Sequence, residues 1–343
     1  MNWNVRLAYI QTISSAIGMG IVQVAFAVYV NQILEQVNFV LGVLHTTSGF
    51  ASTIFVFPSG YLADKYRRDI LIRMSVFFGI VSQIALVFST TLLNADIILI
   101  ILFIAQALAG IGWGLSGPAA QALLADSIES GDRSRIFANM HLLSFVAAAI
   151  GPFFAAGLTF IIGNTWDLET LKNLIVIGAI GTTCSYISIA FASDDKALIS
   201  KIEQTSAPRI EKESMIEDFP IMTLFGRSFS YDVIIPILIV TSGIIIGFGA
   251  GATVAFFPIL FANPAIGYGL QPFFTYVIFG VTNIISGITG IFAQRIIPIF
   301  GRIGSMFLSQ GFAIICLLGL VANLVLYQEN YISFDISIAL LVI

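Results

Sequence analysis

Hydrophobic residues run through this chain in long unbroken blocks, with neither the period-two alternation of a half-buried strand nor the narrow stripe of a surface helix. Each block holds 20 or more mostly apolar residues, enough at about 1.5 Å per helical residue to cross a hydrocarbon layer of about 30 Å. The pattern predicts complete spans at 7–33, 39–62, 70–93, 96–125, 136–163, 173–192, 233–262, 272–299 and 303–327, with a tenth beginning near 333. Helices are expected throughout, because backbone groups facing lipid must find partners within their own segment.

The polar breaks divide the spans into two groups. Residues 193–232 are the longest polar stretch, with five basic and eight acidic residues and no apolar run long enough to span. The expected layout is an N-terminal six-helix transmembrane bundle at 1–192, a cytoplasmic linker at 193–232, and an incomplete C-terminal transmembrane bundle at 233–343. The tenth span is read as cut short, since only eight residues follow Asp335, from Ile336 to Ile343. Of the 15 basic residues, all but Lys172 fall on one side of the spans. That asymmetry predicts a cytoplasmic N-terminus and residence in the inner or plasma membrane. Ala25-Phe26-Ala27 looks like a signal-peptidase site, but the run before it is too long and carries Gln11, Ser14, Ser15 and Gln23, so a retained first helix is expected.

Composition agrees with the blocks. Hydrophobic residues make up 58% of the 343 and charged residues 10%, too few charges to cover a soluble protein of this size. The net charge of −4 adds little, because the placement of charge matters more than its sum. Cys184 and Cys316 each lie inside an apolar block and read as small packing residues. No phosphate loop occurs, which argues against ATP drive. No catalytic set suited to an intramembrane enzyme, no metal cluster and no cofactor motif is found, and nothing points to nucleic acid.

Two connections carry motifs. Gly60-Tyr61-Leu62-Ala63-Asp64-Lys65-Tyr66-Arg67-Arg68, between spans 2 and 3, resembles the signature G-x-L-A-D-[RK]-x-G-R of the major facilitator superfamily. Arg67 stands where that family prefers glycine, so a residue with a Cβ is expected to make a tight turn there. Gly117-Pro118-Ala119-Ala120, followed by Asp126 and Asp132-Arg133-Ser134-Arg135, is similar to a second family patch after span 4. A degraded echo, Gly290, Arg295 and Phe300-Gly301-Arg302, follows span 8. The resemblance implies an all-α polytopic membrane protein of the major facilitator fold.

Physically, Gly60 would let helix 2 approach a neighbour closely. Asp64 and Arg68, four residues apart, could pair with Asp126 as a third partner, giving a conformational latch of Gly60, Asp64, Arg68 and Asp126.

Charges within spans are costly and this chain has almost none, so its polar path candidates are neutral. They are Gln106, where many family members carry an arginine, together with Thr241, Ser242, Asn283, His45 and Trp113. Tyr276 is a further candidate for stacking on a ligand. Ala147-x-x-x-Gly151-Pro152-x-x-Ala155-Ala156 resembles a relaxed form of the small-residue motif of drug and proton antiporters. Gly110-x-x-x-Gly114 and Gly243-x-x-x-Gly247 suggest closely packed helices.

These features point to secondary active or facilitative transport of a small neutral or lipophilic solute by alternating access, in a monomer lying in the lipid bilayer. The alternatives are a proton-coupled multidrug exporter and a non-transporting sensor or inactive remnant. Protons as the coupling ion would need a titrating group, and only His45 and His141 lie within the complete spans.

Overall fold

The computed structural model describes residues 2–34, 38–129, 131–198, 221–224, 227–230, 254–265, 267–329, 331, 333 and 337. Six long helices come first: α1 (Trp3–Ile33), α2 (Asn38–Lys65), α3 (Arg68–Ser89), α4 (Ala95–Asp126), α5 (Arg133–Ile162) and α6 (Leu168–Ala190). Then come a short β-hairpin of β1 (Ile221–Leu224) and β2 (Arg227–Ser230), a short α7 (Phe257–Ala262) and a long α8 (Pro272–Gln328). In the hairpin Ile221 lies opposite Ser230 and Leu224 opposite Arg227. It sits within the expected linker and is the one sheet among the described residues, which are otherwise helical.

Side chains fix several helix starts. Asn2 accepts from the Asn4 N–H, and Asn94 accepts from the N–H groups of Asp96 and Ile97. Asp167 accepts from the Thr170 N–H at 2.9 Å. Each satisfies a donor that a helix N-terminus would leave orphaned.

α8 was expected as two spans, and its backbone breaks at Gly301, with φ 70° and ψ 170°. That conformation is essentially restricted to glycine. Eight stretches of the described helices are long and apolar enough to cross a membrane, including Pro272–Thr289 and Gln310–Gln328 on either side of the break. The expected seventh span lies outside the described residues from 233 to 253, and so does most of the expected tenth.

α1 packs on α5 and α6, α4 packs on α2 and α3, and α5 packs on the first limb of α8. Glycines make two of these seams close. A Cβ on Gly114 would stand 2.6 Å from the Ser52 carbonyl oxygen, and one on Gly110 would collide with the Ser48 carbonyl. On the other seam, a Cβ on Gly18 would stand 2.7 Å from the Gly178 carbonyl. Buried hydroxyls bind across or along these seams, as Ser59 does to the Leu115 carbonyl and Ser82 to the Ala105 carbonyl. The outward faces are apolar, with Phe39, Phe50, Phe57, Phe77, Phe160 and Ile161 well exposed. An apolar exterior around seams whose buried hydroxyls are paired suits lipid as solvent.

Candidate functional site

The bundle has two distinguishable ends. At the signature end lie the α2–α3 connection, the end of α4 and the start of α1. Arg68 is buried there, and its Nη1 donates to Asp126 Oδ2 at 2.5 Å and to the Ala122 carbonyl at 3.5 Å. Arg133 lies 3.9 Å from the other Asp126 oxygen. Arg67 binds both Asp69 oxygens, at 3.1 and 2.9 Å, and reaches Asp195 at 2.8 Å. The hydrogen bonds to Asp69 and Asp195 raise the Arg67 pKa, and the bond from Arg67 holds the Asp195 carboxyl below its ordinary range. The buried Asp194 accepts from the Arg68 N–H at 3.4 Å, placing a carboxylate at the N-terminus of α3. Asn4 joins the same knot, donating to Ser127 and to the Ser193 carbonyl.

Three expectations about the signature change here. Asp64 is exposed, and among the described residues its side chain makes no ion pair or hydrogen bond. The expected Asp64–Arg68 pair fails because α2 stops at Lys65 and α3 starts at Arg68, so the two are not one turn apart on one helix. At Gly60 an added Cβ would meet open space, so no close approach occurs there among the described residues. Arg67 is extended, with φ −61° and ψ 129°, a conformation that any residue adopts, so its Cβ is no obstacle.

Between the ends lies a cavity of about 370 Å³ lined from α1, α2, α3, α4 and α6. Gln11, Gln23 and Phe26 face it from α1, His45 and Ser48 from α2, and Gln83 from α3. Gln106 and Trp113 face it from α4, and Tyr186 from α6. Gln11, Ser15, Met19 and Gln23 recur at the four-residue helical spacing that puts them on one face, and Gln106, Ala109 and Trp113, spaced three and four apart, share a face of α4. The twelve-residue interval from Gln11 to Gln23 corresponds to about 18 Å along the helix. Gln11, Trp113 and Ser116 also line a second cavity of about 310 Å³, which reaches Asn4, Gln121 and Phe137 near the signature end.

Three expected path residues, His45, Gln106 and Trp113, thus share one cavity. Asn283 is elsewhere: its amide donates to the Phe279 carbonyl at 2.9 Å and the Ala148 carbonyl at 3.3 Å, between α8 and α5. Tyr276 is fully buried, its hydroxyl donates to the Ile21 carbonyl, and it does not line the cavity. Thr241 and Ser242 lie outside the described residues. His141 is exposed on α5, edge-on to Phe145, and does not line the cavity. Gln11, Gln23, Gln83 and Tyr186 were not singled out from sequence as path residues. The signal for them was face periodicity: each recurs on the same helical face as other polar or small residues.

Toward the far end an apolar layer separates the cavity from a second space bounded by α1, Trp166 and α7. Phe26, Tyr29, Leu41, Leu44, Leu86 and Leu102 form part of the largest core, with Ile259 and Tyr276 packed into it. Beyond them, polar contacts join the first six helices to the start of α8. The Asn164 amide donates to Gln271 Oε1 at 2.8 Å, and Asn164 Oδ1 accepts from the Phe273 N–H at 2.9 Å. Trp166 Nε1 donates to the Leu270 carbonyl at 2.7 Å. Asn164 has φ 52°, and the N-cap residue Gln271 makes no side-chain cap of its own, so Asn164 caps α8 from the neighbouring helical group.

The chain's sequence is similar to known proteins. A "Na(+), Li(+), K(+)/H(+) antiporter" of Planococcus maritimus is 32% identical over 123 residues, which is 35% of this chain and 27% of that protein. The matched stretch therefore spans about a quarter of that relative's length. The family model for the Major Facilitator Superfamily matches residues 8–343. With the signature connection, the membrane-length helices and an interior cavity, that match establishes that this multi-pass membrane protein belongs to the major facilitator superfamily of transporters.

Proposed function

We propose that the chain carries a small uncharged solute across the inner or plasma membrane by alternating access, using the cavity at Gln106, His45 and Trp113. The observation that carries this reading is the cavity lining, which reaches toward the signature end, is blocked toward the far end, and among the described residues contains no Asp, Glu, Lys or Arg. A charged solute there would lose hydration without a counter-charge to replace it. The excess of basic residues supports a cytoplasmic signature end, so the described arrangement faces inward. The Arg68–Asp126 pair and its neighbours act in this reading as a latch that holds one conformation. Monomeric operation fits, since the cavity lies within one chain.

A second reading, proton coupling, is favoured by the position of His45 alone. It lines the cavity edge-on to Phe26, with ring centroids 6.0 Å apart, and is the only histidine in the cavity lining among the described residues. The antiporter relative, by its name, exchanges cations for protons. The test is solute flux in proteoliposomes with and without an imposed pH gradient, in wild type and His45→Gln. Equilibration without the gradient supports a facilitator. Gradient-driven accumulation that His45→Gln abolishes supports coupling. Absence of flux for every neutral solute tried overturns the proposal.

A further inference from the structure

The cavity's side chains specify more than an uncharged ligand. Most hydroxyls around it are already used: Ser82 donates to the Ala105 carbonyl, Thr182 to Gly178 and Ser185 to Thr182. The amides are not. Among the described residues, the side chains of Gln11, Gln23, Gln83 and Gln106 make no hydrogen bond, and neither do the His45 ring nitrogens or Trp113 Nε1. Each amide offers two donors and an acceptor oxygen with two lone pairs. Four such groups facing one chamber are available to bind a ligand in place of water.

Flat aromatic faces stand beside them. Trp113 is half-exposed and Phe26 and Tyr186 complete the walls. Tyr186 reaches its place because Gly79 has no side chain: a Cβ there would stand 2.5 Å from the ring.

Resting on the transport reading above, we infer that the ligand is an uncharged ring compound bearing several hydrogen-bond donors and acceptors, recognised edge-on by Gln23, Gln83, Gln106 and His45 and face-on by Trp113. A purely lipophilic molecule would leave all four amides unpaired. A bare monovalent cation fits worse, because the amide N–H groups and Trp113 Nε1 present positive ends to the same space, and about 370 Å³ is far too open to close oxygens around one ion.

The experiment measures binding and flux together in proteoliposomes of the whole protein. The probes are uridine, D-glucose, naphthalene as a ring without hydrogen-bonding groups, and sodium chloride. Gln83→Leu and Gln106→Leu are compared with wild type, and a thermal melt checks that each folds. The expected result is that uridine or D-glucose binds and that each variant weakens it by about tenfold or more, because a site built to hydrogen-bond is left unpaired on the other side. Naphthalene binding that matches or exceeds theirs, or that improves in both variants, overturns the inference while flux of naphthalene would keep the transport reading. Displacement of the neutral probes by sodium overturns it in favour of a cation site. The expected binding pattern without flux of any probe would sink the transport reading and leave the ligand assignment standing. Binding by none of the neutral ring probes overturns the inference.

Discussion

Asn164 is the residue at which closure of the far end can be weakened most cleanly. Its side chain makes two bonds between the first six helices and α8, to Gln271 and to the Phe273 N–H. Its backbone sits at φ 52°, where an alanine would be strained whether the end is open or closed. Asn164→Gly removes both bonds and keeps the turn, so its effect falls on the equilibrium between the two states. At about 1 kcal/mol per neutral hydrogen bond the closed form loses about 2 kcal/mol, or about 30-fold in its ratio to the open form. Asn164→Asp keeps the acceptor for Phe273 and loses the donor to Gln271, for about one bond and a fivefold change. The reporter is a cysteine at Val28, a buried residue on a space of about 520 Å³ bounded by α1, Trp166 and α7. Cys184→Ser and Cys316→Ser supply the background, since both native thiols are exposed. An impermeant thiol reagent applied at the far face should modify the reporter about 30 times faster in Asn164→Gly, with Asn164→Asp in between. Equal rates in all three proteins would refute the idea that these bonds hold the end shut.

Arg68→Ala should lower the melting temperature sharply, because it leaves the partly buried Asp126 with only the distant Arg133, a loss of about 3 kcal/mol. Asp64→Asn should leave the melt unchanged, since Asp64 is exposed and unpaired among the described residues, while reduced flux in that variant would support a role in the conformational cycle. Gly114→Val should separate α2 from α4 at the Ser52 carbonyl and cost about 1–3 kcal/mol in a denaturation assay. The carboxyls of Asp167 and Asp195 are held below their ordinary range, by the Thr170 N–H and by Arg67 respectively. Their contribution is therefore complete above about pH 4 and lost as pH falls through the lowered values. A melt followed from pH 7 to pH 5 should not move on their account, and Asp195→Asn should flatten the decline below about pH 4.

The spans were legible because lipid imposes one rule on every block, and six of the helices start and stop within a few residues of the apolar boundaries. The extra turns, such as Trp3–Arg6 and Thr170–Lys172, are polar at the helix ends and invisible to a hydropathy reading. The Gly110–Gly114 pair was readable as close packing because small residues one turn apart have little other use in a membrane helix. The signature was less readable in detail. Four-residue spacing implies a shared helical face only while the helix continues, and α2 ends between Asp64 and Arg68. Asp194 and Asp195 could not be assigned to the Arg67–Arg68 knot from sequence, because the contact spans more than 120 residues. Within the cavity, Gln106 is picked out because it stands where many family members carry an arginine, and His45 because it is one of two histidines within the complete spans. Gln11, Gln23 and Gln83 needed facing information, which comes from tracing each helix face rather than from counting inward.

The central claim is that one cavity opens to one side at a time, and a cysteine at Ser48 tests it most directly. Ser48 lines the chamber beside His45 and Gln106, midway along α2. In the background free of native thiols, an impermeant reagent should modify it from the signature face in the resting protein. It should do so from the far face only when closure is weakened by Asn164→Gly, and a bound neutral solute should slow both reactions. Equal modification from both faces in the resting protein would describe a channel, and modification from neither would describe a sealed bundle. Either result would contradict the account.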